Sequence, residues 1–547
     1  MLISAALLSV IAGVQTVMAQ KVTLYSAGSK AYECDIARLD SIVFSDAPAI
    51  VEPEEIIVTV DAYGIAEGEH WFEEIDETNY YIDDIKYTVQ NADLVVTGYN
   101  ETFFKGEARI ISKLKYHGRT MNVVSIGRHA FADCTRLTSV TIGSGVTSIG
   151  EYAFSDCDNL TSISIPNSVT NIGDRAFDGT PWYDNQPDGV VYAGKVAYTY
   201  KGTMPEGTEI ILNDGTVGIA DLAFDEHENL ISITIPNGVT SIGEYAFEDC
   251  HNLTNVNIPE GVTFIGTNAF NECTSLTSIT IPNSMTSIGP DVFSWCTSLT
   301  SVTIPESVTS IGDYAFQDCS SLTSVTIPNS VTIIGRQCFQ NCTSLSSVTI
   351  PESVTSIGFF AFENCSSLTS IKVEDGNPMY DSRDNSNAII DTATNTLVVG
   401  CKNTTIPNSV TTIGEYAFYN CSSLTSVTIP ESVTSIGDYA FYNCYSLTSI
   451  TIPESVTSIG DKAFYNCYNL TSVTIGSSVT FIGSRTFKSC SSLTDVYCYA
   501  ENVPSSDSQA FDESSVSSAT LHVPAGSVDA YKAQAPWKYF ESIVAIE

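Results

Sequence analysis

A 23-residue motif recurs along most of the chain, and its period constrains the fold more than any other feature. The stretch "IPESVTSIGDYAFYNCYSLTSI" (residues 429–450) is followed from Ile452 by the nearly identical "IPESVTSIGDKAFYNCYNLTSV". A Phe marks each repeat at residues 131, 154 and 177, then every 23 residues from 224 to 362, and again from 418 to 487. A fixed period between 20 and 50 residues indicates a solenoid, because each repeat can bury its apolar face only against its neighbours.

Each repeat has the pattern of two short strands joined by a turn. In the coil "LTSVTIPESVTSIG" (residues 299–312), apolar Val302 and Ile304 flank polar Thr303, and a proline follows. β-Branched residues with a period of two, closed by proline, predict a strand. The later "VTSIG" predicts a second extended stretch that ends at glycine. The acid of the following "DYAF", Asp313 in this coil, predicts the start of a helical turn, because the helix dipole favours a negative charge there.

The pattern L-x-x-V-x-I-P, followed by V-T-x-I-G-x-x-A-F-x-x-C, resembles the BspA-like leucine-rich repeat of bacterial surface proteins. The resemblance covers about residues 124–498. It implies a β-rich solenoid, a curved leucine-rich-repeat array of 23-residue coils with short parallel strands, that acts in adhesion or ligand binding. Two stretches depart from the period, at about residues 180–210 and 374–403. The alternating "VVYAGKVAYTYKG" of the first predicts a hairpin-bearing insertion.

The segments outside the array predict a signal peptide and two caps. Residues 1–19 are apolar and uncharged, so we expect cleavage before Gln20 and export to the cell surface or the extracellular space. A transmembrane anchor is the alternative, although the run is short. Residues 20–55 are interpreted as a leader segment and linker, 56–123 as a β-rich N-terminal cap, and 499–547 as a C-terminal capping segment that covers the last coil. We expect no transmembrane segment in the mature chain.

The charge and the residue patterns exclude several classes of function. The chain has 63 acidic and 23 basic residues, a formal charge of −40, which repels nucleic acid and favours cations or basic protein patches. Its six histidines are scattered, and no H-E-x-x-H or G-x-S-x-G motif occurs. We therefore predict no enzymatic activity, no cofactor and no metal site. A calcium role for the repeated acids is the alternative, but nothing resembles a complete calcium loop.

Twelve of the 16 cysteines stand three residues after the marker Phe. Disulfides are the natural interpretation for an exported chain with an even count. However, equivalent positions in stacked coils have parallel Cα–Cβ directions, which suit disulfide geometry poorly, and Cys also behaves as a small buried hydrophobe. The spacing therefore favours a ladder of buried free thiols.

Recognition is expected at irregular positions, because identical coils cannot define one distinct site. Tyrosines supply large amphipathic contact areas, and five of them are spaced so as to form a stripe on the turn side. Two asparagines and one lysine interrupt the regular Ser/Thr files of the strands. The candidate ligand-binding residues are Tyr419, Tyr442, Tyr445, Tyr465, Tyr468, Asn255, Asn257 and Lys372.

Three kinds of function stay open at this level. The first is adhesion to a host or bacterial surface or extracellular-matrix protein by a monomeric chain. The second is a structural or decoy array without one dedicated ligand, which near-identical coils would suit. The third is a glycan-binding module. The binding face is either the tyrosine stripe or the regular hydroxyl files, such as Ser301 and Thr303 in one coil.

Overall fold

The computed structural model describes the backbone of residues 21–26 and 29–35, and complete residues at 55–60, 66–67 and 70–546. The chain divides into two units, Met1–Glu52 and Pro53–Glu547. In the first, Lys21–Ser26 and Ser29–Asp35 pair as an antiparallel hairpin. The predicted signal peptide, Gln20, and residues 27–28 and 36–54 of the predicted leader segment and linker lie outside the described residues. Within the described residues, no helix has the length and apolar character needed to cross a membrane.

The second unit is a solenoid in which most coils contribute one strand to each of two parallel files. Ser301–Thr303 pairs in register with Ser278–Thr280, its equivalent 23 residues earlier. Ser310–Ile311 pairs with Ser287–Ile288 in the same way. A shift of 23 residues places each apolar side chain on its counterpart, so one sequence pattern builds one continuous core. The predicted solenoid of short parallel strands is confirmed.

The strands of the two files follow the repeat with few exceptions. The first file consists of Glu107–Ile110, Ser139–Ile142, Ser162–Ser164, Thr208–Ile211, Leu230–Thr234, Asn255–Asn257, Ser278–Thr280, Ser301–Thr303, Ser347–Ile350, Ser370–Val373, Ser449–Ile452, Ser472–Ile475, Asp495–Cys498, Thr520–Val523 and Ser542–Ala545. The second file consists of Ser148–Ile149, Asn171–Ile172, Gly218–Ile219, Ser241–Ile242, Phe264–Ile265, Ser287–Ile288, Ser310–Ile311, Ile333–Ile334, Ser356–Ile357, Thr412–Ile413, Ser435–Ile436, Ser458–Ile459, Phe481–Ile482 and Ser505–Ser506.

The segment after the second strand is a turn, and the helix start predicted at Asp313 is wrong. Tyr314 and Asp318 have φ values of 59° and 56°, in the left-handed region that interrupts an α-helix. Backbone N–H groups of this turn donate to the next coil, from Tyr314 to Arg336 O at 2.8 Å and from Asp318 to Gln340 O at 2.8 Å. The acid has another role, because Asp313 Oδ1 accepts the N–H of Arg336 at 2.7 Å. The neighbouring coil, rather than a helix, therefore holds the turn.

The marker Phe rings stack along the core. Phe316 is fully buried, and its ring centroid lies 5.6 Å from that of Phe293 and 5.5 Å from that of Phe339. The planes are nearly parallel, at 13° and 4°. The second insertion divides the buried apolar residues into two clusters, one that extends to Cys401 and one that contains Phe418 and the later coils.

The cysteine ladder is confirmed, since all 15 described cysteines are free. Most of the ladder thiols donate to the carbonyl of the marker Phe one coil earlier, as in Cys157 to Phe131 O at 3.0 Å and Cys319 to Phe293 O at 3.2 Å. Burial raises the pKa of the Cys157 thiol to about 12. The thiol fills a small apolar site and also satisfies a carbonyl that lies between coils, which Ala or Val could not do.

Both predicted insertions contain hairpins, and each hairpin joins the second file. Val196–Lys201 pairs with Gly218–Ile219, and Thr396–Gly400 pairs with Thr412–Ile413, both in parallel. Gly400 is required here, because a Cβ atom at this position would overlap the ring of Phe418. The remaining elements of the insertions are a short helix, a 3₁₀ turn and three strands: Pro181–Asp184, Arg383–Asn385, Gly189–Ala193, Tyr380–Asp381 and Ala388–Asp391.

Aromatic side chains close the Phe stack at both ends. At the N-terminal end, the Tyr99 ring lies parallel to that of Phe131, with centroids 5.7 Å apart. At the C-terminal end, Phe511 contacts the fully buried Trp537 at 5.5 Å. The N-terminal strands are Ile57–Thr59, Phe72–Asp76, Asn79–Ile82, Ile85–Gln90, Asp93–Tyr99, Lys113–Tyr116 and Arg119–Ile126. The C-terminal helical elements are Ser515–Ser518, Ala525–Ser527, Val528–Ala533 and Trp537–Tyr539.

Candidate functional site

Three of the predicted tyrosines form a stacked file on the turns. Tyr419 and Tyr442 have ring centroids 4.8 Å apart at 8°, and Tyr442 and Tyr465 have centroids 4.9 Å apart at 13°. All three side chains are half-buried. They lie together because each follows a marker Phe, and the 23-residue register places equivalent turn residues directly above one another.

A second aromatic file runs beside the first, and the sequence analysis missed it. Tyr416 and Tyr439 have centroids 5.1 Å apart, and the Phe360 ring meets Tyr416 edge-on at 4.6 Å. The two files touch, since Tyr439 lies 5.7 Å from Tyr442. The signal that could have found this file is the same register, because Tyr416 and Tyr439 both stand two residues before a marker Phe.

Tyr445 and Tyr468 form the most exposed part of this aromatic region. Their rings stack with centroids 5.3 Å apart at 8°, and the residues are 37% and 43% exposed. Most other coils have Ser or Thr at this position, such as Ser422 and Thr297. The two tyrosines are therefore additions to the surface rather than requirements of the coil. We define the tyrosine surface as Phe360, Tyr416, Tyr419, Tyr439, Tyr442, Tyr445, Tyr465 and Tyr468.

Charged residues border the tyrosine surface at both ends. Lys462 donates to the Tyr439 hydroxyl at 2.8 Å, with its ammonium 4.8 Å from the ring centroid. Lys488 lies 6.0 Å from the Tyr465 centroid. At the opposite end, Asn420 donates to Glu363 at 2.6 Å, which joins the turns across the second insertion. Burial, followed by repulsion from the Glu363 carboxylate, raises the pKa of Tyr419 to about 12. Tyr419 is thus a neutral hydrogen-bonding group at physiological pH.

Asn255 and Asn257 lie apart from the tyrosines, on a strand of the first file rather than on a turn. Both are exposed, on either side of the buried Val256. Their strand pairs with Leu230–Thr234, so the side chains continue the exposed hydroxyl files seen at Ser301 and Thr303. These two amides change the chemistry of one file.

Lys372 also lies on the first file, but the second insertion encloses it in a cleft. The cleft has a volume of about 580 Å³, and its lining includes Lys372, Glu374, Tyr380 and Arg383. Asp381 holds the Arg383 guanidinium, with Nη2 and Oδ2 2.8 Å apart. Lys372 is exposed, and it replaces the Thr349 of the preceding coil. The structure therefore unites two irregular features that the sequence analysis named separately.

The comparison with protein families gives a match over most of the array. The model described as "BspA type Leucine rich repeat region" matches residues 109–184, 197–320, 286–384 and 395–522, in six copies. The chain belongs to this family. The resemblance read from the repeats is therefore confirmed. No curated protein matches the chain.

Several solved structures of bacterial leucine-rich-repeat proteins are similar to this BspA-type chain. One, a leucine-rich repeat protein from Bacteroides ovatus, is 28% identical, covers 85% of this chain and 99% of its own, and has a TM-score of 0.40. A leucine rich cell surface protein from Faecalibacterium prausnitzii is 24% identical, with coverages of 86% and 96% and a TM-score of 0.39. The pneumococcal vaccine antigen PcpA is 17% identical, with coverages of 85% and 97% and a TM-score of 0.36.

Proposed function

We propose that this chain is an exported surface protein that binds a protein ligand through its tyrosine surface. The observation that carries the proposal is a pair of touching aromatic files and a further stacked pair, Tyr445 and Tyr468, on the turns of the same successive coils. Tyr445 and Tyr468 are the most exposed tyrosines of this surface. Tyrosines bury large areas with little loss of side-chain entropy and retain a hydroxyl for hydrogen bonding, so they are enriched at recognition sites. The solenoid supplies a rigid support on which these rings are already stacked.

The scaffold is proposed as a binding surface rather than an enzyme. Its repeated residues have structural roles, as the Cys157 thiol and the Asp313 carboxylate illustrate by bonding to neighbouring coils. The net charge of −40 favours a partner with a basic patch. Long-range attraction between opposite charges is screened by salt, so we expect the association rate to fall as ionic strength rises.

A binding screen with matched variants tests this function. The mature chain is immobilised and exposed to a panel of purified extracellular-matrix proteins and glycans. In the Tyr445→Ser/Tyr468→Ser variant, both positions receive the residue that Ser422 provides in another coil, so the fold is preserved. We expect this variant to lose at least about tenfold in affinity, since truncation of a central aromatic contact costs about 2 kcal/mol or more. The control is Ser301→Ala/Thr303→Ala on the hydroxyl files, which should bind like the wild type.

The cleft beside the second insertion is the competing protein-binding site. Lys372→Thr restores the residue of the preceding coil and removes the cationic group from the cleft. Loss of binding in this variant, together with unchanged binding by the tyrosine variant, would assign recognition to the cleft and contradict the proposal. Removal of the whole insertion is a poorer test, because Thr396–Gly400 pairs with Thr412–Ile413 in the second file.

Glycan binding is a second candidate function, and the exposed pair Tyr445 and Tyr468 favours it. Parallel rings present apolar faces against which the C–H groups of a sugar ring can pack, and Asn469 beside them is exposed. Saturable binding to a glycan array with no binding to matrix proteins would support this candidate instead. In that case affinity should be insensitive to salt, because a neutral sugar has no charge to attract.

Export is the condition on which either function depends. We propose that the mature chain begins at Gln20, after cleavage of the apolar segment 1–19. N-terminal sequencing of the protein from the envelope and medium fractions tests this. An intact Met1 on a cytoplasmic species would contradict a role in surface binding, because a surface-binding protein must face its ligand.

A further inference from the structure

Two carboxylates and a histidine from adjacent coils converge on the turns far from the tyrosine surface. One ring nitrogen of His251 and one oxygen each of Asp249 and Glu272 lie within 4.8 Å of one another, and all three residues are half-buried. The sequence analysis did not name this cluster, whose members come from two coils. They meet because Asp249 and Glu272 are 23 residues apart, two residues after successive marker Phe residues.

The same position has a different chemistry in the coils after the second insertion. Asn443 donates to Asn420 Oδ1 at 2.6 Å, and Asn466 donates to Asn443 Oδ1 at 2.9 Å. Each amide there is both a donor and an acceptor, so the file satisfies itself. Ionised carboxylates only accept, so Asp249 above Glu272 gives repulsion where the Asn file gives hydrogen bonds. A shared proton or a bound cation would relieve this repulsion.

The hydrogen bond of His251 leaves one ring nitrogen able to coordinate a metal ion. His251 Nδ1 lies 2.9 Å from the backbone carbonyl oxygen of Glu272, and a carbonyl oxygen only accepts. Nδ1 therefore carries the ring proton, and Nε2 retains the lone pair that coordination requires.

We propose that Asp249, His251 and Glu272 bind a divalent transition-metal ion of the Zn²⁺ type, which links two adjacent coils. Zn²⁺ accepts both imidazole nitrogen and carboxylate oxygen, at about 2.0–2.2 Å. Ca²⁺ prefers six to eight oxygen ligands, and an imidazole nitrogen is not among its usual ligands. The ligand atoms of the cluster must move together slightly on binding, because they now lie up to 4.8 Å apart. Three protein ligands leave one tetrahedral position for water.

Isothermal titration of the mature chain with Zn²⁺ tests the site. We expect one saturable Zn²⁺-binding event per chain. The affinity should fall at least about tenfold in His251→Gln and in Glu272→Gln, because mutation of residues that only hydrogen-bond to metal ligands already lowers metal affinity about 10- to 100-fold. Asp249→Asn is the most informative variant, because five later coils carry Asn at this position and its left-handed backbone is retained, with φ of 55° at Asp249 and 57° at Asn443. It should fold normally and lose Zn²⁺ binding.

The control is His129→Asn, which removes an exposed histidine from another left-handed position, with φ of 55°, and should leave binding unchanged. Hydrogen exchange with and without Zn²⁺ should show new protection at residues 247–252 and 270–275. The proposal is overturned if no one-to-one event occurs, if His251→Gln binds like the wild type, or if Ca²⁺ binds the three residues and Zn²⁺ does not. Binding that disappears only when the thiols are blocked would also overturn it, because it would assign Zn²⁺ to cysteine.

Discussion

Removal of one ring from the Phe stack should destabilise a few coils rather than the whole array. In Phe316→Ala, a fully buried ring with partners at 5.6 Å and 5.5 Å is deleted. Truncation of a buried Phe costs about 3–5 kcal/mol. Lost stacking accounts for about 0.5–1.5 kcal/mol of this destabilisation for each of the two ring pairs. The rest is lost burial and the cavity left between Phe293 and Phe339.

Hydrogen exchange followed by mass spectrometry measures this change coil by coil. A loss of about 3–5 kcal/mol corresponds to exchange that is roughly a hundredfold to a few thousandfold faster in the coils of Phe293 and Phe339. Peptides around Phe464, which belongs to the other apolar cluster, should be unaffected. The control is Phe264→Ala, whose side chain is 46% exposed and should cost little. Uniform acceleration along the whole array would refute nearest-neighbour coupling between coils.

Two further predictions concern the titratable groups. The native chain should react only slowly with a thiol reagent at pH 8, because burial raises the pKa of ladder thiols such as Cys157 and Cys490 to about 12, whereas all 16 cysteines should react in denaturant. Disulfides detected in denaturant without a reductant would contradict the ladder. Burial also raises the pKa of Asp221 to about 7, whereas in the unfolded chain the pKa of an Asp carboxyl is about 3.9. Between these two pH values the folded chain retains a proton that the unfolded chain releases. This contribution to stability is complete below about pH 4 and is lost as the pH rises through about 7, so Tm should increase from pH 8 to pH 5 and Asp221→Asn should flatten that slope.

The period of the repeat was sufficient to predict the solenoid, its parallel register and its thiol ladder, because each follows from placing equivalent residues above one another. The turn at Asp313 was predicted wrongly, since an acid before "YAF" is also typical of a helix start. What decides the local conformation is the hydrogen bonds to the next coil, which a single repeat does not reveal. Tertiary context overrode a local preference there.

The candidate site was predicted in part for a related reason. Tyr419, Tyr442 and Tyr465 were found because they follow the marker Phe directly, whereas Tyr416 and Tyr439 were overlooked as ordinary members of the repeat. Within one repeat, these tyrosines are indistinguishable from residues that only support the turn. Their common surface is apparent only when successive coils are stacked on one another. The cleft at Lys372 could not be predicted from the sequence, because the second insertion forms part of it. The insertion lies outside the 23-residue period, so no repeat register indicates how it folds.

The most direct test of the account is a hydrogen-exchange footprint of the mature chain with a matrix protein that it binds in the screen. The account predicts that the partner slows exchange on the turns that carry the tyrosine surface, at residues 416–423, 439–446 and 462–469. It also predicts no change on the hydroxyl-bearing strands Ser278–Thr280 and Ser301–Thr303. Protection confined to those strands, with the tyrosine turns unchanged, would contradict it.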